Sequence, residues 1–477
     1  MNRRQFSLTA AAGLLAPRPA SAAQVEITVL PEEKIGVISP MIHGHFVEHL
    51  GGVVYDGIWV GEGSKIPNVD GIRKSLVDDL KAIQAPVFRW PGGCFADSYN
   101  WKDGIGPRAE RPVRTNFWAD NGFLARQSSG PAKFEPNTFG TNEFIRFCQL
   151  AGGAPYLAAN LRSGTAREFY EWIEYCNSPA RSTTLARVRG GAPFNVEYWG
   201  VGNETWGCGG NLTGEEYAVE YRKFMGWNPS YGVRLKYIAA GPSSGDLAWT
   251  RGFFQGMLKK GPRSLRSVWG FALHHYCGTE GEAVKFTTDD WYKHLKRAYD
   301  MENLIRDHWA AMGEFDREHI VKFAVDEWGA WHRPGSQVAE HHLLGQQSTM
   351  RDAVIAGMTL DVFNRHAEKV AMANIAQLIN CLQSLFLAHE DQYVKTVNYH
   401  VFAMHQAHQG GEAVRTVFGS PSAPFGSPGV TGSASIKGKS LLVTCTNPHH
   451  DKALEAAVSV SGAAVSSAEG KVLTAPK

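Results

Sequence analysis

The segment of residues 196–211, VEYWGVGNETWGCGGN, gives the clearest indication of the architecture. It begins with the apolar, aromatic and β-branched residues that are typical of a buried strand. The strand stops at Gly202, and Asn203 and Glu204 follow, ahead of a glycine-rich loop. A carboxylate just beyond a rigid strand, with open space in front of it, is typical of a functional acid. The alternative is a glutamate on an ordinary surface loop, which the tryptophans and glycines around it disfavour.

Strands and helices alternate on both sides of this stretch. We predict strands at 42–49, 86–90, 154–161, 196–203, 236–241, 268–276, 320–328 and 370–378, and helices at 71–84, 142–151, 166–177, 214–226, 249–260, 289–312 and 339–365. Strands that alternate with helices in this way predict an α/β fold, a (β/α)₈ TIM barrel. A doubly wound sheet also fits the alternation, but its glycine-rich phosphate turn is missing.

The pattern changes after residue 385. Short predicted strands divided by Gly, Pro and Ser follow, at 397–404, 413–416, 433–437, 440–447 and 454–459. They predict a β-sandwich of jelly-roll type, which strands at 24–38 would complete. The predicted domains are therefore sandwich strands at 23–40, a barrel at 41–384 and the C-terminal sandwich at 385–477. A long Gly- and Pro-rich insertion at 97–136 is typical of a functional loop.

The first 22 residues have the three parts of a twin-arginine signal. Arg3-Arg4 precedes a mild apolar stretch at 8–16, and Ala20-Ser21-Ala22 fits a cleavage site. The sequence therefore predicts export to the periplasm or beyond. A disordered tail that contains two arginines is the alternative. No other stretch is apolar enough to cross a membrane.

Composition excludes several kinds of protein. The formal net charge is +2 without a long basic run, which argues against nucleic-acid binding. With 43% hydrophobic and 20% charged residues, the chain can bury a normal core. Its seven cysteines are scattered, so we expect no disulfide framework and no zinc spacing, and at least one free thiol unless chains are cross-linked.

In a barrel, residues at the carboxyl ends of the strands form the site. Those positions hold Glu48, Arg89, Asn203, Glu204, His274, Tyr276, Glu327 and Gln377. Glu204 and Glu327 would follow strands four and seven, across the mouth of the barrel. Paired carboxylates suit glycoside hydrolysis, in which one protonates the leaving oxygen and the other attacks the anomeric carbon or activates water.

The neighbours of the two glutamates suggest their roles. Donors such as Arg89 and Tyr276 would keep Glu327 ionised, as a nucleophile requires. A neighbouring carboxylate would favour the protonated form of Glu204, as an acid requires, and Asn203 could hold a sugar 2-hydroxyl. A structural ion pair with Arg89 is the alternative role for Glu327.

Other candidates are weaker. His43, His45 and His49 together with Glu48 suggest a metal site, but no distant ligand set matches them, so we predict no metal and no cofactor. The pair His274-His275 is more typical of substrate orientation or core packing. Cys94 follows two glycines, and packing or a substrate contact is a better interpretation than a nucleophile.

Six motifs resemble glycoside hydrolase family 51, the α-L-arabinofuranosidases. They are HGHFVEHLGG (43–52), FRWPGGCFADSYNWKDGIGP (88–107), YWGVGNETWGCGG (198–210), FALHHY (271–276), VDEWGAW (325–331) and NIAQLIN (374–380). The resemblance covers nearly the whole chain beyond residue 22, in the same order. It implies a (β/α)₈ barrel with a C-terminal β-sandwich and a retaining double displacement without metal.

The resemblance also implies site residues. Glu204 would be the general acid/base and Glu327 the nucleophile. The furanose pocket would be lined by Glu48, Arg89, Cys94, Asn203, His274, Tyr276 and Gln377. Cys94 departs from the pattern of many members, which carry an asparagine there. Members are often hexameric, so a homo-oligomer is expected.

The expected substrate is a terminal non-reducing α-L-arabinofuranosyl residue on arabinan- or arabinoxylan-type poly- or oligosaccharides. A β-galactofuranosidase, a β-xylosidase or an endo-β-1,4-glucanase is an alternative, because the catalytic pair does not choose the sugar. A non-catalytic carbohydrate-binding protein is a further alternative, which the presence of both glutamates disfavours.

Overall fold

A computed structural model describes residues 24–118, 134–333 and 342–475. The predicted signal segment lies outside these residues, as do positions 119–133 of the predicted insertion. Within the described residues, the chain forms a closed barrel and a separate five-stranded sheet. The predicted (β/α)₈ barrel with an additional β domain is therefore confirmed.

The barrel consists of eight parallel strands. In order around the barrel they are β2 (Gly44–Phe46), β5 (Val87–Trp90), β8 (Ala154–Ala159), β9 (Tyr198–Val201), β10 (Lys236–Ala239), β11 (Gly270–Cys277), β12 (Lys322–Ala330) and β13 (Val370–Ile375), which closes on β2. Glu204 thus follows the fourth barrel strand, and Glu327 lies within the seventh.

Helices connect these strands. They are α1 (Lys74–Ala82), α2 (Thr141–Ala151), α3 (Ala166–Asn177), α4 (Thr184–Arg189), α5 (Gly214–Met225), α6 (Leu247–Leu258), α7 (Thr288–Gly313) and α8 (Met350–Arg365). Capping boxes start several of them: Thr213 and Glu216, for example, satisfy each other's backbone N–H groups at the start of α5.

Strand β9 shows how the barrel is built. All four of its residues are buried, because Tyr198 and Trp199 point to opposite faces of the sheet. Tyr198 belongs to an interior layer with Tyr156 and Met372. Trp199 packs outward against Phe169 of α3, with ring centroids 5.7 Å apart. Burial on both faces holds this strand in place, so the residues that follow it are held on a rigid support.

Both ends of the described chain meet in the β domain. Strand β1 (Val25–Val37) pairs antiparallel with β16 (Glu412–Gly419) and parallel with β19 (Ala456–Val460), and β17 (Thr431–Lys437) and β18 (Ser440–Thr446) extend the sheet beyond β16. Polar side chains fasten the sheet to the barrel. Asn364 of α8 donates to Ser433, which itself donates a 2.7 Å hydrogen bond to Asp361.

The segment 386–408 differs from its prediction. It holds a hairpin, β14 (Phe386–His389) and β15 (Gln392–Lys395), and then helix α9 (Val397–His405), where we predicted a strand. Thr396 caps this helix, and Phe402 stacks on Trp328 of the barrel, so tertiary packing overrides the strand-like pattern. We propose that the β domain begins near Glu412 rather than at residue 385.

The described residues also form three short two-stranded elements, two of them in connections between barrel strands and one after the last barrel strand. They are β14–β15, β3 (Asn68–Val69) with β4 (Ile72–Arg73), and β6 (Arg114–Thr115) with β7 (Phe134–Glu135). Among the helices of the described residues, none combines the length and apolar character that a membrane crossing requires.

Candidate active site

Arg89 joins three strands at the centre of the barrel mouth. Its side chain extends from β5, is almost fully buried, and donates 2.8 Å and 2.6 Å hydrogen bonds to Glu327 and Asn203. Its Nε also lies 3.2 Å from a carboxylate oxygen of Asp326. Two buried carboxylates therefore share one permanent cation, which offsets part of the cost of burying them.

Glu327 is held on both oxygens. Arg89 contacts Oε1, and the hydroxyl of Tyr276 donates a 2.9 Å hydrogen bond to Oε2. Burial raises the pKa of Glu327 and the charge of Glu204 adds to that, while the His274 and Arg89 cations oppose the rise. These donors fix the carboxylate in one orientation and favour its ionised form.

His274 lies between the carboxylates. Its Nδ1 is 2.9 Å from Oε1 of Glu204 and 3.5 Å from Oε2 of Glu327, and its Nε2 is 3.1 Å from Oδ1 of Asp326. Burial disfavours the imidazolium, but Glu327, Asp326 and Glu204 outweigh burial and raise the pKa of His274 to about 10. A cation thus bridges the two glutamates at neutral pH.

The two glutamates are close enough to act on one bond. Single oxygens of Glu204 and Glu327 and one nitrogen of His274 all lie within 4.8 Å of one another. Retaining glycosidases have carboxyl groups about 5–5.5 Å apart, and inverting ones about 6.5–9.5 Å apart. The short separation matches the retaining arrangement. Glu204 is the more accessible of the two, with 19% of its side chain exposed against 6% for Glu327.

Glu48 and Gln377 form the wall beside this pair. Gln377 donates a 3.2 Å hydrogen bond to Glu48 and accepts one from its backbone N–H, and the N–H of Phe95 donates to the other carboxylate oxygen. Burial raises the pKa of Glu48 to about 8, and the charge of Glu327 adds to it. Burial therefore favours the protonated form of Glu48, which can donate as well as accept.

Cys94 is not a free thiol. It forms a disulfide with Cys208, 114 residues away, which joins the segment after β5 to the loop that carries Glu204. The scattered cysteines gave no indication of this pair, because such a separation leaves no local spacing pattern in the sequence. The two sulfur atoms lie 3.9 Å and 3.8 Å from Oε2 of Glu204. The remaining cysteines, at 148, 176, 277, 381 and 445, are free.

The predicted site residues thus come together around the two glutamates, but the sequence reasoning missed two supporting groups. Asp326 and Tyr156 lie beneath His274, with the Tyr156 hydroxyl donating a 2.7 Å hydrogen bond to Asp326. On a regular strand Asp326 and Glu327 would face opposite sides. Register irregularities between β12 and both of its neighbours bring both carboxylates to the interior. The acidic pair in DEW was the only signal in the sequence.

The histidines considered for a metal have other surroundings. His43 and His45 are buried without hydrogen-bond partners among the described residues, and they lie against Phe402. His49 accepts a 2.9 Å hydrogen bond from Trp90 at Nε2 and contacts Glu135 at Nδ1. His275 contacts the backbone oxygen of Arg297, away from the glutamates.

Two family models match the chain. The α-L-arabinofuranosidase 1 domain matches residues 79–247, and the α-L-arabinofuranosidase C-terminal domain matches residues 326–477. A Bacteroides ovatus protein named intracellular exo-α-L-arabinofuranosidase is 36% identical over 469 residues, which cover 94% of this chain and 87% of the relative.

The chain belongs to the α-L-arabinofuranosidases of glycoside hydrolase family 51.

Solved structures of this family agree with the fold. The family 51 arabinofuranosidase from Xanthomonas axonopodis pv. citri is 36% identical and superposes with a TM-score of 0.84, covering 92% of this chain and 88% of that one. The Thermotoga maritima α-L-arabinofuranosidase, solved as an arabinose complex, is 30% identical with a TM-score of 0.79, at 92% and 88% coverage.

One prediction is contradicted by the Bacteroides ovatus relative. The twin-arginine interpretation of residues 1–22 placed this arabinofuranosidase in the periplasm or outside the cell. The Bacteroides ovatus relative, which matches almost the whole chain, is named an intracellular enzyme. Two arginines, an apolar stretch and small residues are common enough to occur together without acting as an export signal, and the export prediction is withdrawn.

Proposed function

We propose that this family 51 member is a retaining exo-glycosidase, with Glu204 as general acid/base and Glu327 as nucleophile. It releases terminal non-reducing α-L-arabinofuranosyl residues from arabinan- or arabinoxylan-type chains. The observation that carries the proposal is the approach of the two carboxylates within 4.8 Å around His274. The exo-acting name of the relative that matches 94% of the chain supports the substrate.

In the first step, Glu327 attacks the anomeric carbon while Glu204 gives its proton to the departing oxygen. Arg89 and Tyr276 hold the attacking carboxylate through 2.8 Å and 2.9 Å hydrogen bonds, so it needs little reorientation. The amide oxygen of Asn203 accepts a hydrogen bond from Arg89, and its NH₂ group donates to Cys208 Sγ at 3.7 Å. The second N–H of that group remains to donate to the sugar 2-hydroxyl.

In the second step, Glu204 acts as a base. It removes a proton from the water that attacks the glycosyl–Glu327 ester, and the first product is the α-anomer. The greater exposure of the Glu204 side chain, 19%, suits a group that meets both the leaving group and water. Glu48, Gln377 and the disulfide of Cys94 would line the sugar pocket.

The test compares the intact protein with Glu204→Ala and Glu327→Ala on two substrates. One is p-nitrophenyl α-L-arabinofuranoside, whose leaving group needs little protonation, and the other is an arabinoxylo-oligosaccharide. We expect Glu327→Ala to lose turnover of both substrates. Glu204→Ala should lose more on the oligosaccharide, by about 10²–10⁴-fold. The α-anomer should appear first by NMR.

Four outcomes would contradict the proposal in whole or in part. Full turnover by Glu327→Ala removes the nucleophile and leaves a structural role for that carboxylate. A first-formed β-anomer contradicts retention. Turnover of a β-galactofuranoside, a β-xyloside or a glucan in place of the arabinofuranoside keeps the mechanism and changes the substrate. Tight sugar binding without turnover of any substrate indicates a binding protein.

The proposal includes a homo-oligomer, a hexamer by family resemblance. Light scattering coupled to gel filtration measures the mass directly, and a monomer at micromolar concentration would contradict it.

A further inference from the structure

Asp56, His342 and His389 converge from three separate connections of the described chain. Asp56 follows β2 and Glu48, His342 precedes α8 in the connection after β12, and His389 ends β14. Oδ2 of Asp56 lies 3.3 Å from Nε2 of His342 and 2.8 Å from Nδ1 of His389. None of these residues belongs to the candidate active site.

We propose that Asp56, His342 and His389 bind a divalent transition-metal ion, with Zn²⁺ as the best match. Two imidazoles and one carboxylate are ligands that zinc prefers, with metal–ligand distances of about 2.0–2.2 Å. One candidate ligand atom from each residue lies within 4.8 Å of the other two, so a common centre needs only small side-chain movements. The two rings are nearly perpendicular, at 88°, which gives their nitrogens different directions of approach.

The carboxylate is already oriented for this role. The backbone N–H of Glu390 donates a 2.8 Å hydrogen bond to Oδ1 of Asp56, which leaves Oδ2 directed at the two imidazoles. Such outer hydrogen bonds are what hold metal-ligating carboxylates in place. The His342 side chain is 8% exposed, and those of Asp56 and His389 are 28% and 48% exposed. The cluster is therefore anchored on one side and open to solvent on the other, where water can complete the coordination.

One nearby charge opposes a cation. The Arg73 guanidinium reaches the backbone oxygen of Asp56 and lies 3.4 Å from Oδ1. It contacts the oxygen that does not face the histidines. The charge of Arg73 offsets part of the carboxylate charge of Asp56 and therefore lowers the affinity for the ion. The competing arrangement is a simple hydrogen-bonded triad, in which each histidine donates to Oδ2 and no ion binds.

A bound ion would tie the rim of the candidate pocket together. The connection of Asp56 also carries Glu48, and the segment between β13 and His389 carries Gln377. Glu48 and Gln377 exchange two hydrogen bonds across the same two connections. We therefore expect the ion to act on stability and substrate affinity, because no ligand touches Glu204 or Glu327.

The test uses the full chain, stripped with EDTA and dialysed against metal-free buffer. Calorimetric titration with ZnCl₂ and elemental analysis should both give one equivalent at this cluster, and the thermal midpoint should rise by about 3 °C or more. His389→Ala and Asp56→Asn should each abolish that equivalent. His450→Ala, which changes another partly exposed histidine, is the matched control and should bind like the intact chain.

Zinc at the catalytic carboxylates must be told apart from zinc at this cluster. Glu204→Gln removes one possible zinc ligand from the group of Glu204, His274 and Glu327. This variant should still bind one equivalent of zinc at Asp56, His342 and His389. The proposal is overturned if the intact chain binds no zinc, or if His389→Ala binds as much as the intact chain. Loss of the bound zinc in Glu204→Gln alone would also overturn it, because the ion would then lie at the catalytic carboxylates.

Discussion

Nε2 of His274 lies 3.1 Å from Oδ1 of Asp326, the residue that directly precedes Glu327. The other oxygen of Asp326 accepts a hydrogen bond from Tyr156, so the carboxylate cannot turn away from the imidazole. Asp326 therefore orients His274 and stabilises its charge. The opposite nitrogen of His274 faces both Glu204 and Glu327, which makes Asp326 a positioning residue for the pair.

We predict that Asp326→Asn lowers kcat/KM by about 10–10³-fold, because an amide cannot stabilise the imidazolium. Asp326 helps to raise the pKa of His274 to about 10, so the variant should lose the His274 proton at lower pH. The alkaline limb of the pH–rate profile should move to lower pH. Tyr156→Phe, which keeps the carboxylate charge, should move it less. An unchanged profile in Asp326→Asn would contradict this role.

Arg89→Ala should destabilise the fold as well as abolish turnover. The guanidinium pairs with Asp326 and Glu327 in the buried centre, and removing one partner of a buried ion pair costs about 3–5 kcal/mol. Urea unfolding measures the loss. Arg89→Lys keeps the charge but not the fork that also reaches Asn203. It should recover much of the stability and little of the activity, and equal activity in Arg89→Lys and the intact protein would be inconsistent with the geometric role.

The Cys94–Cys208 disulfide should stabilise the protein. It closes a sequence separation of 114 residues, and removal of a native disulfide costs about 2–5 kcal/mol. Cys94→Ser/Cys208→Ser should show this in urea and should raise KM, because the two sulfur atoms lie 3.9 Å and 3.8 Å from Glu204 in the proposed sugar pocket. Cys445→Ser, at a free and exposed cysteine, is the control and should match the intact protein. Equal stability of the double variant would contradict the prediction.

Stability should fall as the pH drops below about 6.5. Burial lowers the pKa values of His43, His45, His294 and His408 from 6.5 to about 3. The unfolded chain takes up these protons first, so this stability is present above pH 6.5 and is lost as the pH falls towards 3. Glu48 and Asp97, whose pKa values burial raises to about 8 and about 7, act in the opposite direction. The four histidines outnumber these two carboxyl groups, so we expect acid to destabilise the fold.

His45→Phe tests this account. His45 is stacked on Phe88, and within the part of the chain that the structure describes neither of its nitrogens has a hydrogen-bond partner. Phenylalanine at this position therefore keeps the packing and removes the titration. The free energy of unfolding, measured with urea between pH 7 and pH 4.5, should fall less steeply with decreasing pH in the variant. The two slopes should differ by up to about 1.4 kcal/mol per pH unit. Parallel slopes for the two proteins would show that His45 does not take part.

Much of the barrel could be predicted because its signals are local. The helical periodicity at 166–177 matches α3, and the strand in 196–203 contains β9. Once strands four and seven were counted, Glu204 and Glu327 followed as neighbours across the mouth. The segment 397–404 was predicted wrongly, because its alternating apolar residues suit a strand while packing of Phe402 on Trp328 selects a helix.

The order of strands and helices and the residue types at the strand ends could be predicted from the amino-acid sequence, since they depend on patterns within a few residues. The contacts between distant parts of the chain could not, because they form only when the chain folds. These include the disulfide of Cys94 with Cys208, and the convergence of Asp56, His342 and His389. They also include the irregularity that turns Asp326 and Glu327 to the same side. Such contacts depend on how separate loops fold over the barrel, which no local sequence pattern predicts.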